Sequence, residues 1–272
     1  MKSKFKKILD PLFHFFLTIG FDARHVYRVR HLNKFRTQYN QFKKLGGVIT
    51  RSYPVLSDYD TQAGSASGHY FHQDLLIASF IHNKNPIRHI DVGSRIDGLI
   101  AHVASFRRID VMDVRELSNT GHQNISFIKA DLMDKDSAQN NLTDSISCLH
   151  AIEHFGLGRY GDPIDPKGHL KGFNNIVRML KPEGYLYISF PIGKANEVYF
   201  NAHRVFHPKD IFTWAEDKGV LDLERFDYVD DVGNLHQNVD LEKTEIDVVY
   251  GCGIYTFKKS KLIQPFEGRL AP

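Results

Sequence analysis

Short apolar runs alternate with helical stretches over most of the chain beyond residue 88. The pattern predicts seven strands, at 88–92, 109–112, 125–128, 145–149, 185–191, 223–229 and 250–257. Helices fit between the early strands at 97–106 and 168–180. This alternation is typical of a parallel sheet with helices on both faces. The sequence therefore predicts a doubly wound, mostly parallel seven-stranded α/β fold, whose ligands bind beyond the carboxyl ends of the strands where the winding reverses.

The first fifth of the chain is strongly basic. Residues 1–52 hold twelve Lys and Arg against two acids, whereas the whole chain of 272 residues has a net charge of only +3. The rest is therefore acidic, which argues against a nucleic-acid groove and predicts no nucleic-acid partner. We expect a basic helical extension over 1–52, with a helix at 23–46, followed by the α/β domain over 53–272.

Within this extension, four lysines precede an apolar stripe that follows the 3.6-residue period of a helix. Asp10 and Pro11 interrupt the apolar run, no small-residue cleavage site follows it, and it is too short to span a bilayer. A basic amphipathic helix is the better interpretation. Two roles stay open: residues 1–20 lie on an anionic membrane face, or the stripe packs on the domain or on another subunit of a homo-oligomer.

Cysteine usage bears on the compartment. Cys148 and Cys252 are the two cysteines, both in apolar surroundings and without metal-type spacing. A disulfide framework is therefore not expected, and a reducing compartment fits. We predict a cytoplasmic protein, located at the inner face of the cytoplasmic membrane if the basic helix binds lipid, and no metal site.

The ends of the first three predicted strands carry acids and a glycine turn. The first strand ends at Asp91, and Gly93 follows in a tight turn before a helix. Glycine lets the backbone come close to a ligand. Asp113 at the end of the second strand can accept hydrogen bonds from both hydroxyls of a ribose, because an ionised carboxylate has two acceptor oxygens and no donor. Asp131 ends the third strand, where an adenine amino group can be recognised.

These residues make 88–191 resemble a class I S-adenosylmethionine-dependent methyltransferase. The 91–93 turn resembles the first motif of that family, and Asp113 and Asp131 resemble its ribose and adenine acids. Residues 149–154 are similar to its segment after the fourth strand, and 179–186 to its turn into the fifth strand. The resemblance implies S-adenosylmethionine as the cofactor.

The same resemblance extends the expected cofactor site. Ser94 and Arg95 follow the glycine, Tyr70 and Gln73 come from a segment that can close over the methionine end, and His150 follows the fourth strand. Arg95 stands where the family usually keeps glycine. It either pairs with the carboxylate of the cofactor or caps a neighbouring loop.

A narrower resemblance covers most of the chain, through segments 20–22, 68–74, 93–95, 156–163 and 200–204. It is to methyltransferase-like proteins of unassigned function that are associated with bacterial surface-polysaccharide synthesis, including lipopolysaccharide. This resemblance implies a sugar, glycan or sugar-nucleotide as the acceptor.

Candidate catalytic residues lie in the polar segments after the fourth and fifth strands. His154 is the first choice for a general base, because imidazole titrates near neutral pH; the alternative is that the Glu153–His154 pair only orients its loop. Asp162 and His203 are further candidates, with Arg204 available for an anionic acceptor. A cation held by Asp162, Asp165 and a histidine is a minor alternative, since acids in proline-rich turns usually form the turn.

Two other functions compete with methyl transfer. A nicotinamide dehydrogenase would need a fuller glycine-rich loop for its pyrophosphate, whereas Ile96 and Asp97 stand there, and the acid would repel a diphosphate. The other alternative is a non-catalytic scaffold or binding module in a polysaccharide-synthesis complex. The altered first motif favours it, and the intact acids argue for the enzyme, in this view an O-methyltransferase.

Overall fold

The computed structural model describes residues 20, 27–61, 63–118 and 120–261. The chain divides into two compact units, 1–65 and 66–272, whereas the sequence placed the boundary after residue 52. In the first unit, a 3₁₀ turn at Val29–His31 leads into helix α1 (Leu32–Lys44), inside the stretch predicted to be helical. The amphipathic stripe and the membrane contact predicted for residues 1–20 fall almost wholly outside the described residues, so the extension as a whole stays a prediction.

The second unit contains three α-helices among the described residues: α2 (His69–Lys84), α3 (Ala101–Ala104) and α4 (Gly168–Met179). A π-type turn at Ile96–Ile100 precedes α3, so the helix predicted over 97–106 is short and irregular. Short 3₁₀ turns lie at Asp58–Asp60 in the first unit and at Lys135–Ser137, Ile152–His154 and Asp210–Thr213 in the second. None of the described helices is long and apolar enough to cross a membrane.

The strands are β1 (His89–Val92), β2 (Ile109–Asp113), β3 (Ile125–Lys129), β4 (Thr143–Leu149), β5 (Leu180–Ile192), β6 (Glu197–Tyr199), β7 (His203–Val205), β8 (Leu221–Val229), β9 (Leu235–His236) and β10 (Gly251–Lys259). Eight of them form one sheet in the order β3-β2-β1-β4-β5-β10-β8-β9, and β6 pairs with β7. The α/β class and all seven predicted strands are confirmed.

The sheet has eight strands and not the predicted seven, and it is mixed, with four parallel pairs among its seven. β1 to β5 are parallel, but β10 runs antiparallel between β5 and β8, and β9 adds an eighth strand antiparallel to β8. β9 has only two residues, too few for an alternating pattern to show. β5 also begins at Leu180, earlier than predicted, so α4 ends at Met179.

Apolar cores cover both faces of the sheet, as a doubly wound fold requires. On one face α4 buries Phe173 and Ile176 against a cluster that includes Phe190 and Trp214. On the other face α2 buries Ile77 in a second cluster. Each of these side chains is at most a few per cent exposed, so truncating one to alanine costs about 2–5 kcal/mol of stability.

The winding of the sheet positions the site. The chain runs from β1 outward through β2 to β3, and then returns to place β4 and β5 on the other side of β1. The winding therefore reverses between β1 and β4, and the crevice for a ligand lies above the carboxyl ends of these strands.

Candidate active site

Two adjoining cavities lie at the carboxyl ends of β1 to β4. The narrow cavity measures about 60 Å³ and the wide cavity about 570 Å³. They share six residues along one wall: Gly93, Asp113, Arg115, His150, His154 and Tyr160. The structure thus brings together most of the residues that the sequence predicted.

The turn after β1 is held from below by Asp91. This carboxylate is fully buried and accepts hydrogen bonds from the Ser94 amide at 3.0 Å and the Ser94 hydroxyl at 2.6 Å. The Ser147 hydroxyl donates a third bond at 2.5 Å. Burial raises the pKa of Asp91 to about 6, against the hydrogen bonds that lower it. Asp91 lines neither cavity, so its side chain supports the turn instead of reaching a cofactor as predicted.

Gly93 is the point where this turn meets the cavities. Its φ of +68° lies in the left-handed region, and a Cβ at this position would come within 2.9 Å of the Ala151 Cβ. Only glycine satisfies both conditions without strain. Ser94, which also lines the wide cavity, is fixed by its bonds to Asp91 and by the Leu149 amide, which donates to its hydroxyl.

The segment upstream contributes one of its two predicted residues. Tyr70 lines the wide cavity, and its ring lies 4.8 Å from the guanidinium of Arg95. Arg95 also lines the wide cavity, where its exposed guanidinium is paired with Asp97 at 2.8 Å. Gln73 is buried between α2 and the sheet, where its Oε1 accepts a bond from the Ser189 hydroxyl at 2.6 Å. The structure does not bring Gln73 to either cavity, because its amide is used inside the core.

Asp113 and Asp131, the acids that end β2 and follow β3, both line the narrow cavity. Asp113 is already engaged, because the guanidinium of Arg115 donates to both of its carboxylate oxygens at 2.9 and 2.7 Å. Arg115 in turn lies 4.3 Å from the centre of the Tyr160 ring. Asp131 accepts a bond from the Met133 amide at 2.9 Å and keeps its second oxygen for other partners.

His150 follows β4 in a left-handed conformation with a φ of +49°. Its Nδ1 bonds to the Glu153 carboxylate at 2.8 Å, and its Nε2 is buried without a hydrogen-bond partner in the described part of the chain. Burial raises the pKa of Glu153, but the adjacent histidines together lower it by more than burial raises it. The net shift of this pKa is therefore downward. Glu153 is therefore an ionised carboxylate beneath the wide cavity.

His154 stands where the two cavities meet. Its Nδ1 donates to the Ala202 carbonyl at 2.7 Å, which leaves the lone pair on Nε2, 3.7 Å from a Glu153 oxygen. Burial lowers the pKa of His154, and the Glu153 charge only partly opposes this. The ring is therefore neutral at pH 7, as a general base must be.

The other two catalytic candidates differ in their freedom to react. His203 lines the wide cavity, its Nε2 has no partner within the described residues, and burial lowers its pKa. Asp162 lines the narrow cavity, but its oxygens accept bonds from the amides of Gly156, Gly158 and Tyr160. Asp162 therefore organises the loop after β4, and its carboxylate is not available as a base.

Arg204 and Asp165 both have structural partners and not the ligands considered for them from the sequence. Arg204 is buried and donates to the carbonyls of Glu153 and Phe155 at 3.2 and 2.7 Å, so it anchors the loop and does not hold an anionic acceptor. Asp165 pairs with Lys171 at 2.6 Å. The cation site considered for Asp162 and Asp165 is not assembled, because Asp162 bonds to the amides of its own loop and Asp165 is paired with Lys171 on α4.

Several residues of the cavity walls were not among those predicted from the sequence. Arg115 and Tyr160 line both cavities, and Arg159 and Tyr250 line the wide one. Arg159 and Tyr160 belong to the polar segment after the fourth strand, and Arg115 lies two residues beyond the predicted ribose acid, so these three had a local signal. Tyr250 reaches the site from the start of an antiparallel strand, and the predicted parallel sheet gave no reason to place it there.

Comparisons with known proteins concern the fold. A family model described as "Caenorhabditis protein of unknown function, DUF268" matches residues 103–212. No curated protein matches the sequence. The 1,6-didemethyltoxoflavin-N1-methyltransferase of Burkholderia thailandensis, solved with S-adenosylhomocysteine, is 12% identical, with a TM-score of 0.49 over 89% of this chain and 92% of that chain.

Two other solved structures are similar to a comparable degree. An S-adenosylmethionine-dependent methyltransferase from Clostridium acetobutylicum is 13% identical, with a TM-score of 0.47 over 85% of this chain and 99% of that chain. The [4+2]-cyclase SpnF is 14% identical, with a TM-score of 0.51 over 82% of this chain and 95% of that chain. At this identity, the similarity to SpnF shows that the chain has the same α/β fold.

Proposed function

We propose that this protein is an S-adenosylmethionine-dependent methyltransferase. One observation carries the proposal: Gly93, Asp113 and Asp131, from the ends of three adjacent strands, line one narrow cavity. The left-handed turn at Gly93 admits a ligand close to the backbone, and Asp113 suits the two hydroxyls of a ribose. The adenosine is larger than the narrow cavity, so it would lie along the wall that the two cavities share, with its base toward Asp131. The methionine end of the cofactor would lie in the wide cavity, near Tyr70 and Ser94.

The wide cavity suits an acceptor with several hydroxyl groups. Imidazole, carboxylate, phenol and guanidinium groups line it, and they offer both donors and acceptors of hydrogen bonds. When bound, the cofactor supplies an activated methyl group, so the protein mainly has to orient the acceptor and remove its proton. A sugar hydroxyl has a high pKa and needs a base, and His154 Nε2 can take that proton because Nδ1 is bonded to Ala202. We therefore propose O-methylation of a sugar, glycan or sugar-nucleotide.

Calorimetry tests the cofactor. The wild-type protein should bind S-adenosylmethionine and S-adenosylhomocysteine, and Asp113→Asn should bind both several-fold more weakly. A charge-assisted hydrogen bond contributes about 1.5–3 kcal/mol, of which the displacement of Arg115 offsets about 0.7–2 kcal/mol in the wild type. Asp247→Asn is the matched control, because Asp247 is an exposed acid paired with Lys194 away from both cavities. Absence of wild-type binding at millimolar cofactor, or full affinity in Asp113→Asn, would overturn the proposal.

Transfer tests the acceptor. Cofactor labelled on its methyl group is incubated with a panel of sugar nucleotides and glycan precursors. His154→Ala should lose transfer by about 10²–10⁴-fold while keeping the cofactor affinity of the wild type. Equal transfer by His154→Ala and the wild type would remove the assigned base, and labelling of amines alone would remove the O-methyltransferase.

A second candidate is a protein that uses this fold without transferring a methyl group, such as a scaffold in a polysaccharide-synthesis complex. Two observations favour it. Arg115 already holds both oxygens of Asp113, and the solved structure with a TM-score of 0.51 is a cyclase. Cofactor binding without transfer to any acceptor in the panel would favour this candidate.

The place of action is also a proposal. The basic stretch 1–20 would hold the protein at the inner, cytoplasmic face of a membrane where lipid-linked glycans are assembled. The full chain should then float with anionic liposomes and not with neutral ones. A chain that lacks residues 1–20 should stay in solution, and flotation unchanged by the deletion would contradict the idea. Sedimentation of the same two chains gives their molecular mass in solution. A mass above that of one chain, lost on the deletion, would show that residues 1–20 hold a homo-oligomer together.

A further inference from the structure

Two histidines and a cysteine from distant parts of the sequence meet at the edge of the wide cavity. His69 begins α2, His150 follows β4, and Cys252 lies near the start of β10. One ligand atom from each lies within 4.8 Å of the other two. β10 runs antiparallel, so its first residues reach the same edge of the sheet as the end of β4.

The hydrogen bonding of His150 points to a ligand in this cluster. Its side chain is 4% exposed, and Nδ1 is committed to the Glu153 carboxylate. The Nε2 atom is therefore the nitrogen left for a ligand: it is buried and makes no hydrogen bond of normal geometry in the described part of the chain, and the ring interacts there with the Cys252 thiol. A buried ring nitrogen of this kind is costly unless something binds it.

Glu153 supplies what metal sites usually place behind a histidine ligand. A histidine that binds a metal through one nitrogen commonly donates its other N–H to a carboxylate, which fixes the tautomer and the orientation of the ring. His150 and Glu153 have this arrangement at 2.8 Å. Glu153 is itself 1% exposed and belongs to the same turn, so the pair is rigid.

We infer that His69, His150 and Cys252 form a binding site for a zinc-type transition metal ion. Two imidazoles and one thiolate are ligands that zinc accepts, whereas magnesium and calcium prefer oxygen. Three protein ligands leave a fourth position open, which is the pattern of catalytic zinc sites. Since His150 and Tyr250 both line the wide cavity, the open fourth position of the metal would face an acceptor bound in that cavity.

One ligand must move for the ion to be bound. The rings of His69 and His150 are nearly parallel, with centres 5.2 Å apart and planes 13° apart, so their ring nitrogens do not yet point to a common centre. His69 is only partly buried at the first turn of α2, and it can turn about its side-chain torsions. His150 and Cys252 are buried and supply the fixed part of the site.

Cobalt and zinc titrations test the inference without any cofactor or acceptor. The protein is stripped with a chelator and titrated with Co²⁺, which takes zinc sites and gives a thiolate-to-cobalt absorption band. We expect one equivalent to bind with this band, and Zn²⁺ to displace it. Cys252→Ser should lose the band. Cys148→Ser, which removes an equally buried cysteine in the other core cluster, should keep it.

Further variants separate the site from other histidines. His150→Asn, which tolerates the left-handed backbone, and His69→Ala should each weaken Zn²⁺ binding in calorimetry. Glu153→Gln should weaken it by about 10–100-fold while the stoichiometry stays at one. Absence of the thiolate band in the wild type, its presence in Cys252→Ser, or unchanged zinc affinity in both histidine variants would overturn the site. None of these outcomes bears on methyl transfer.

Discussion

Arg115 stands between Asp113 and any ligand of that carboxylate. A ribose that takes the Asp113 oxygens must displace the guanidinium, which bonds to both oxygens and lies 4.3 Å from the Tyr160 ring. The Arg115 side chain is 51% exposed, so the ion pair contributes only about 0.2–1 kcal/mol. The contact with the ring adds about 0.5–1 kcal/mol. Displacement therefore costs about 0.7–2 kcal/mol, and Arg115→Ala should bind S-adenosylhomocysteine about 3–30-fold more tightly than the wild type.

Calorimetry at one ionic strength measures this change, because salt screens an exposed pair. Arg108→Ala is the control: this arginine is 72% exposed, pairs with Asp110 at 3.7 Å, and precedes the opposite end of β2. Its affinity should match the wild type. Weaker binding by Arg115→Ala would show that Arg115 contacts the ligand, and unchanged binding would show that the ligand does not use Asp113. Either result refutes the reasoning.

Three further predictions concern stability. Asp91→Ala leaves three buried donors without their acceptor, and we expect the free energy of unfolding in urea to fall by about 2–4 kcal/mol; a fall below about 1 kcal/mol would mean that the turn does not depend on Asp91. Burial lowers the pKa of His89 to about 3. Between pH 6.5 and pH 3 this histidine is therefore neutral in the folded state but protonated in the unfolded chain. Stability should therefore fall as the pH drops, by about 2 kcal/mol at pH 5 for this residue, and His89→Gln should flatten the dependence of the urea midpoint on pH if the reasoning holds. Gly156→Ala should lower the melting temperature more than Gly161→Ala, because both glycines have a positive φ but only at Gly156 would a Cβ meet the Asp165 carbonyl; equal melting temperatures for the two variants would contradict the structure.

Much of the fold could be predicted because local and global signals agree. The first four strands are short apolar runs that end near an acid or a polar loop, and β1, β2 and β3 lie within a residue of their predicted bounds. The elements that were missed have little local pattern. β6, β7 and β9 have two or three residues each, and β5 continues back through Pro182 and Gly184, two residues that normally indicate a turn.

The candidate site was predictable in its residue types but not in its side-chain roles. Asp91 and Asp113 both occupy strand ends, yet one lies beneath the turn and the other lines the cavities. Asp91 is held beneath the turn by Ser94, three residues along the chain, and by Ser147 on β4, 56 residues away in sequence. The cluster of His69, His150 and Cys252 has no local signal at all, because only the fold brings those residues together.

The residues of the wall that lines both cavities can couple the binding of one ligand to the binding of another. His150, His154 and Tyr160 belong to both, and Arg204 fastens the backbone between them through two carbonyls. An occupant that shifts this wall in one cavity changes the free energy of binding in the other, and thermodynamic linkage makes the effect reciprocal. If binding of the cofactor moves this wall, the cofactor and the acceptor should bind cooperatively, and a compulsory order of addition would follow if the cofactor shapes the wall for the acceptor.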